Sequence, residues 1–394
     1  MMTNIQDSAP NTNNFYAAIG DQLTHFHVDI KTATLECNAS KKFGLNIQYV
    51  WPHPDLNIIY LAVSNGGPGN NGTKHKLIAC NLDTKDGTIR DIINSATLPY
   101  RPLHLSLDCQ KKHILVAYNN PCFISVHQLD PSGSIGSQIK QDVNLDGGIF
   151  GHQIMATPGG NEIILVCRGF DALNNQLEQP GALKFFNYRD GTLSFRASIA
   201  PNNGIGFGAR HLDFHQNGNW IYIAVERQSE IYFLRIDERA ISRPIEQKTS
   251  TLSQSVQPGV RQAVSAIHIH PSGNFVYVSN RAYSSRNYAS GNIIPNGEDN
   301  IATFKIDKKT GRVNLIQNID TNGSLPRTFS IDPSGRLLIA ANSEPASKKN
   351  ELGQVVQLPV SLNLFKIGDD GKLEQRGNLS FPGEDQLLFW AGFL

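Results

Sequence analysis

A chain of 394 residues with 35 basic and 34 acidic side chains has a formal net charge of +1, so no long-range field draws it to nucleic acid or an anionic membrane. Its 34 glycines and 18% charged residues suit many tight turns between short strands, and no run approaches the roughly 18 consecutive apolar residues of a membrane helix. Five scattered cysteines (Cys37, Cys80, Cys109, Cys122, Cys167) form no CxxC pair, so neither a zinc ribbon nor a disulfide framework is predicted, and reduced thiols in a cytoplasmic protein are expected.

The chain opens on MMTNIQDSAPNTNN, a polar stretch without the apolar run of a secretory leader, predicted as a disordered lead-in over residues 1–14. After FYAAIG at Phe15, one phrase recurs: an alternating strand, a turn, then an apolar strand ending in a polar residue. It reads IQYVWPHPDLNIIYLAVSN from Ile47, RPLHLSLDCQKKHILVAYN from Arg101 and GHQIMATPGGNEIILVCRG from Gly151. It continues as GARHLDFHQNGNWIYIAVE from Gly208, AVSAIHIHPSGNFVYVSNR from Ala263 and LPRTFSIDPSGRLLIAAN from Leu325. Period-two alternation on both sides of each turn predicts a hairpin. A second hairpin follows several phrases, as in ALKFFNYRDGTLSFRASI from Ala182, NIATFKIDKKTGRVNLIQNI from Asn300 and LNLFKIGDDGKLEQRGNL from Leu362. Two hairpins make one four-stranded antiparallel blade, and a repeat of roughly 50 to 60 residues predicts an all-β propeller.

Six units are plain. A seventh follows if FYAAIG pairs with the closing segment LSFPGEDQLLFWAGFL, which would close the ring through the two ends of the chain. The predicted fold is therefore a seven-bladed β-propeller forming one domain over residues 15–394, with six or eight blades as the alternatives.

With strands named A to D from the channel outward, the start of A and the end of B share one face. That face collects Arg101, His152, Arg210 with His211, and Arg327 at A-strand starts. At B-strand ends it collects Glu226 with Arg227, Arg281, and the asparagines Asn65, Asn119 and Asn342. The three longest interruptions, 170–181, 282–300 and 343–360, follow B strands too, and long loops on one face of a ring commonly wall a binding site. The recurring asparagines read as turn caps, and His104, His215, His268 and His270 as packed or solvated strand residues. His152, Arg210, Glu226 and Arg281 depart from the repeat at equivalent places and form the candidate catalytic cluster, although an Arg–Glu pair is also a common structural salt bridge.

The phrases RPLHLSLDCQKKHILVAYN, GARHLDFHQNGNWIYIAVE and AIHIHPSGNFVYVSNR resemble the seven-bladed propeller lactonase family over nearly the whole chain. That family contains the bacterial propeller-type 6-phosphogluconolactonase and the fungal carboxy-cis,cis-muconate lactonizing enzyme. The resemblance implies catalytic roles for His152 in GHQ, Arg210 in GARH, Glu226 in AVE and Arg281 in SNR, with Ala209 replacing the family's proline. Asp171 lies in the surviving GFD phrase, and Arg101, His211, Arg327 and Asp171 are expected to bind substrate. Lactone hydrolysis needs an activated water, a stabilised oxyanion and a proton for the leaving alkoxide. Glu226 or His152 would supply the acid–base step, and Arg210 and Arg281 would hold a carboxylate or phosphate.

Two arginines beside Glu226 oppose a cation, and Asp171, Glu298 and Asp299 are weaker carboxylates for one, so a metal-free, cofactor-free hydrolase of a small anionic sugar or sugar-phosphate lactone is expected. A muconate-type cycloisomerase and a non-catalytic binding propeller are the alternatives; no oligomeric state is implied.

Overall fold

In the computed structural model the described residues are 14–172, 176–236, 244–256, 260–284, 297–349, 354–384 and 386–394. Most of the lead-in and parts of the three long interruptions lie outside them, whereas Asn14 already belongs to the first strand, Asn14–Ile19.

Seven four-stranded antiparallel sheets form the ring. The inner A strands of blades 1 to 6 are Asn46–Pro52, Pro102–Leu107, Gly151–Ala156, Ala209–Phe214, Val260–Ile269 and Pro326–Ile331. Blade 7 takes its A strand, Leu388–Phe393, from the end of the chain and its other three strands from residues 14–42. Phe15 pairs with Phe393 and Ala18 with Trp390, the closure foreseen from FYAAIG. Within interruption 343–360, strands Ala346–Lys349 and Val355–Leu358 form an added hairpin that the sequence reading left as loop. Among the described residues the helical turns are two short 3₁₀ segments, and none is long and apolar enough to cross a membrane.

Alternation along B and C strands buries side chains on both faces of each blade. The result is seven hydrophobic clusters, one between each pair of neighbours. Blade 3 gives Val166 and Phe185, for example, to pack on Leu212 and Ile223 of blade 4. Each fully buried Phe or Leu stabilises by about 1.5–3 kcal/mol, so cohesion is local to each interface.

The A–B turns all lie at one mouth of the channel and repeat the same hydrogen bonds. His215 N bonds Trp220 O at 2.9 Å, His270 N bonds Phe275 O at 2.9 Å, and Asp332 N bonds Leu337 O at 2.9 Å. His215 Nδ1 accepts from Asn217 N while its Nε2 donates to Gly273 O of the next blade at 2.9 Å; His270 repeats this with Ser272 N and Gly335 O. B-strand tyrosines add a second staple, Tyr222 to Gly311 O and Tyr277 to Gly371 O, both at 2.7 Å. Gly311 has φ +79°, and a Cβ there would meet Phe233 at 2.5 Å, so this C–D turn requires glycine. A cavity of about 490 Å³ at this mouth is lined by aromatics including Tyr49, Trp51, Phe329 and Trp390.

Candidate active site

Toward the other mouth, every A strand carries a register shift against its B strand. Such a bulge leaves one residue out of the ladder and re-aims its side chain. The residues so placed are Gln48, Leu103, His152, Arg210, Ser265 (with Ala266), Arg327 and Phe389.

Two residues before each bulge, the A strand meets the end of B. Arg168 N bonds Phe150 O at 2.8 Å, Glu226 N bonds Gly208 O at 2.7 Å, and Ser343 N bonds Leu325 O at 3.1 Å. Arg281 stands opposite Ala263 in the same way. Each blade thus presents two side chains: the bulge residue and, in blades 1 to 6, one sixteen positions later (48 and 64, 103 and 119, 152 and 168, 210 and 226, 265 and 281, 327 and 343). Blades 3 to 6 fill these places with His152 and Arg168, Arg210 and Glu226, Ser265 and Arg281, and Arg327 and Ser343.

Glu226 is the hub. Its Oε1 pairs with Arg168 Nε at 3.1 Å, and its Oε2 with Arg210 Nε at 3.4 Å and Arg281 Nη2 at 3.6 Å. Burial would raise this carboxyl, but Arg168, Arg281 and Arg210 together hold it down to about 2, so it is ionised at any ordinary pH. The arginines remain in excess. Burial and then the Arg281 and Arg327 charges push Arg210 well below the usual guanidinium range. Burial and Arg281 push Arg327 down to about 10, and burial and Arg327 do the same to Arg101. Arg327 and Arg101 both face the Phe389 ring, at 4.0 and 5.8 Å.

Buried His152 packs its ring 5.0 Å from His211 and 6.3 Å from Phe150. Burial, then Arg210, lowers it well below the usual histidine range, so the imidazole is neutral, and its Nδ1 has no hydrogen-bond partner among the described residues. His211 lies 3.4 Å from Arg210 Nη1 and links the cluster to His104, 6.0 Å away in the channel. Gln153 fixes this wall by accepting from Leu212 N at 2.7 Å and donating to Leu212 O at 3.2 Å.

The structure therefore brings Arg210, Glu226 and Arg281 into direct contact, with His152 and His211 alongside. Arg327 adds its charge from blade 6, and Arg101 sits on Phe389 with its Nε donating to Gln48 Oε1 at 2.8 Å. Asp171, expected to meet substrate, is engaged by three guanidiniums: Arg168 at 2.9 Å, Arg261 at 2.6 Å and Arg227 at 3.6 Å. The weaker carboxylates serve backbone N–H groups. Asp299 accepts from Ala282 and Leu325, and Glu298 from Ser253 and Gln254. Asn65 caps Thr73 N and Lys74 N, as its recurrence suggested.

Sequence reading missed Arg168. The signal was present, because the sixteen-residue step from Arg210 to Glu226 also joins His152 to Arg168. It also missed Glu344, half-buried beside the cluster, whose carboxyl is raised by burial against the pull of Arg327 and Arg281.

Comparison with known proteins bears on the family and the fold. A family model described as lactonase, 7-bladed beta-propeller, matches residues 13–348. The 6-phosphogluconolactonase of Bacillus subtilis is 25% identical over 346 residues, covering 85% of this chain and 89% of that one. A 6-phosphogluconolactonase of Formosa agariphila is 27% identical over 306 residues, 74% of this chain and 79% of its own. The periplasmic gluconolactonase PpgL of Pseudomonas aeruginosa superposes with a TM-score of 0.71 over 95% of this chain and 98% of its own, at 17% identity, a likeness of fold.

Proposed function

The chain belongs to the seven-bladed β-propeller lactonase family, and from that premise we propose that it hydrolyses a small anionic lactone of the sugar-phosphate or sugar-acid kind. One observation carries this reading: buried arginines in excess of their carboxylates surround a neutral histidine whose ring nitrogen has no partner among the described residues. Buried positive charge of this kind favours an anion, and bidentate guanidinium contacts suit phosphate or carboxylate.

In the proposed mechanism Arg327 and Arg101 take the substrate's anionic group. Arg210 and Arg281, held in place by Glu226, face the lactone carbonyl and stabilise the oxyanion that forms when water adds. His152 accepts the water proton. Glu226 is a poor base because three arginines stabilise its ionised form, whereas His152 gains basicity once a bound anion offsets Arg210. Glu344, its carboxyl raised, is the candidate donor to the leaving alkoxide, so two groups with oppositely shifted acidity divide the proton transfers. Asp171 acts at one remove by orienting Arg168. No metal or cofactor enters these steps, and the cytoplasm is the proposed location, since all five cysteines carry thiols.

The test is hydrolysis of 6-phosphogluconolactone and gluconolactone by purified protein, with and without chelator. The phosphorylated lactone should be turned over faster, with no loss on chelation. Rates equal to spontaneous hydrolysis for both lactones would sink the proposal.

A further inference from the structure

Beneath the cluster, between blades 2 and 3, two thiols converge. Cys122 opens the C strand Cys122–Leu129 of blade 2, and Cys167 ends the B strand Glu162–Cys167 of blade 3. Both sulfurs reach the same oxygen, Gly147 O, at 2.9 Å for Cys122 and 3.3 Å for Cys167. Cys122 Sγ also accepts from Gly151 N at 3.0 Å. A cavity of about 250 Å³, lined by Cys122, Phe123, Gln141, Val143 and Gly147, adjoins the half-buried Cys122 sulfur, while Cys167 is sealed. The neighbours are chosen as well: Gly151 directly precedes His152, and Cys167 directly precedes Arg168.

We propose that Cys122 is a thiol-modification site for small disulfides, with Cys167 as its resolving partner, and that oxidation at this pair is felt by His152 and Arg168. The Cys122 thiolate attacks one sulfur of an oxidised glutathione. A Cys122–glutathione bond forms, the glutathione disulfide breaks, and one glutathione leaves as thiolate. Cys167 then attacks the Cys122 sulfur and expels the second glutathione. Two protein thiols are oxidised, one glutathione disulfide is reduced, and the two protons end on the two glutathiones.

Chemistry at the pair favours this direction of attack. The neighbouring Cys167 lowers Cys122 below the usual thiol range, with Gly151 N–H and Lys184 adding to the effect against the opposing pull of burial and Asp146. Cys167 is raised well above that range, first by its bond to Cys122 and then by burial. Cys80, buried elsewhere, is pushed up to about 11 and has no such partner sulfur. Closing the disulfide withdraws the acceptor that Gly151 N–H uses, so the start of the His152 bulge loses a fixed point.

The experiment needs no substrate for its first arm. Intact protein is incubated with oxidised glutathione and mapped by peptide mass spectrometry in a C37S/C109S background, which removes the two exposed thiols. A Cys122–Cys167 peptide pair lacking two hydrogens is expected, C167S should instead accumulate glutathione on Cys122, and C122S should prevent both. On the unaltered chain, iodoacetamide should alkylate Cys122 about tenfold faster than Cys37 at neutral pH, despite its lesser exposure. Glutathione found only on other cysteines, or Cys122 alkylated more slowly than Cys37, overturns the proposal. The second arm rests on the lactonase reading: the disulfide form should lose roughly tenfold in kcat or more, restored by dithiothreitol. A disulfide that forms without changing a measurable lactonase rate removes the link to His152, while a protein with no lactonase rate leaves the mapping result standing.

Discussion

At the A–B turn mouth, His53, Asp108, His215, His270 and Asp332 occupy one position in blades 1, 2, 4, 5 and 6 and do one job, each accepting N–H groups of its own turn, while Thr157 holds that place in blade 3 and donates to Glu162 O. At the opposite mouth the equivalent positions of successive blades hold Gln48, Leu103, His152, Arg210, Ser265, Arg327 and Phe389, and no two blades agree in both of the side chains they present. The same strands build both ends. The difference shows how a repeat divides its labour: where a residue closes a turn, geometry forces agreement, and where a bulge frees a residue from the ladder, chemistry selects it.

The largest test of this division is Glu226→Gln. It leaves three buried guanidiniums without their shared carboxylate and should lower the unfolding free energy by about 3–5 kcal/mol in urea denaturation. The same variant should lose roughly 10²–10³ in kcat/KM if Arg210 and Arg281 bind the oxyanion as proposed, because they would lose their register. Retained activity would mean that the arginines are placed by the strands alone.

His152→Ala should cost about 10²–10⁴ in kcat while destabilising less than Glu226→Gln, since it removes ring packing but leaves no charge uncompensated, and its Nδ1 has no hydrogen-bond partner among the described residues. The pH profile carries the sign. Burial and Arg210 depress His152, so the acid limb of kcat/KM should lie well below pH 6.5. The limb of kcat, which reports the substrate complex, should lie higher, because a bound anion offsets Arg210. A kcat limb at lower pH than the kcat/KM limb would exclude His152 as the base.

Acid unfolding sharpens the electrostatic side. Glu226 is lowered from 4.5 to about 2 on folding, so its contribution is full above pH 4.5 and fades as pH falls toward 2. The native protein should lose on the order of 3 kcal/mol across that window, and Glu226→Gln should show a flatter profile there.

The smallest effect belongs to the conserved-geometry mouth. Tyr277→Phe removes one staple to Gly371 O and should cost about 1 kcal/mol of stability with kcat unchanged. A change in kcat would show that the two mouths are mechanically coupled and would break the comparison.

Most of the fold was legible because turn chemistry is local. Pro-x-Gly, Asn-Gly and Asp-Gly at fixed places in an alternating pattern specify hairpins, and the end segments close the ring with the same alternation. The added hairpin at 346–358 was not legible, since Val355 and Val356 are both exposed and carry no periodic signal. Strand order alone put His152, Arg210, Glu226 and Arg281 at one mouth. What it could not give was the bulge, because one residue out of register leaves no compositional trace. Asp171 illustrates the limit: its place in a loop at the right face was readable, but its engagement by Arg168, Arg227 and Arg261 depends on side chains from three separate blades.

The bulges have a consequence for how this molecule can be rewritten. A bulge residue contributes no ladder hydrogen bond, so exchanging its side chain leaves the sheet's wiring intact. Seven such positions around one opening act as a keyboard with four keys in use, from His152 to Phe389, and quieter ones at Gln48, Leu103 and Ser265. New substrate preference is therefore most economically sought at Leu103 and Ser265, which flank the His152–Arg210 pair along the ring.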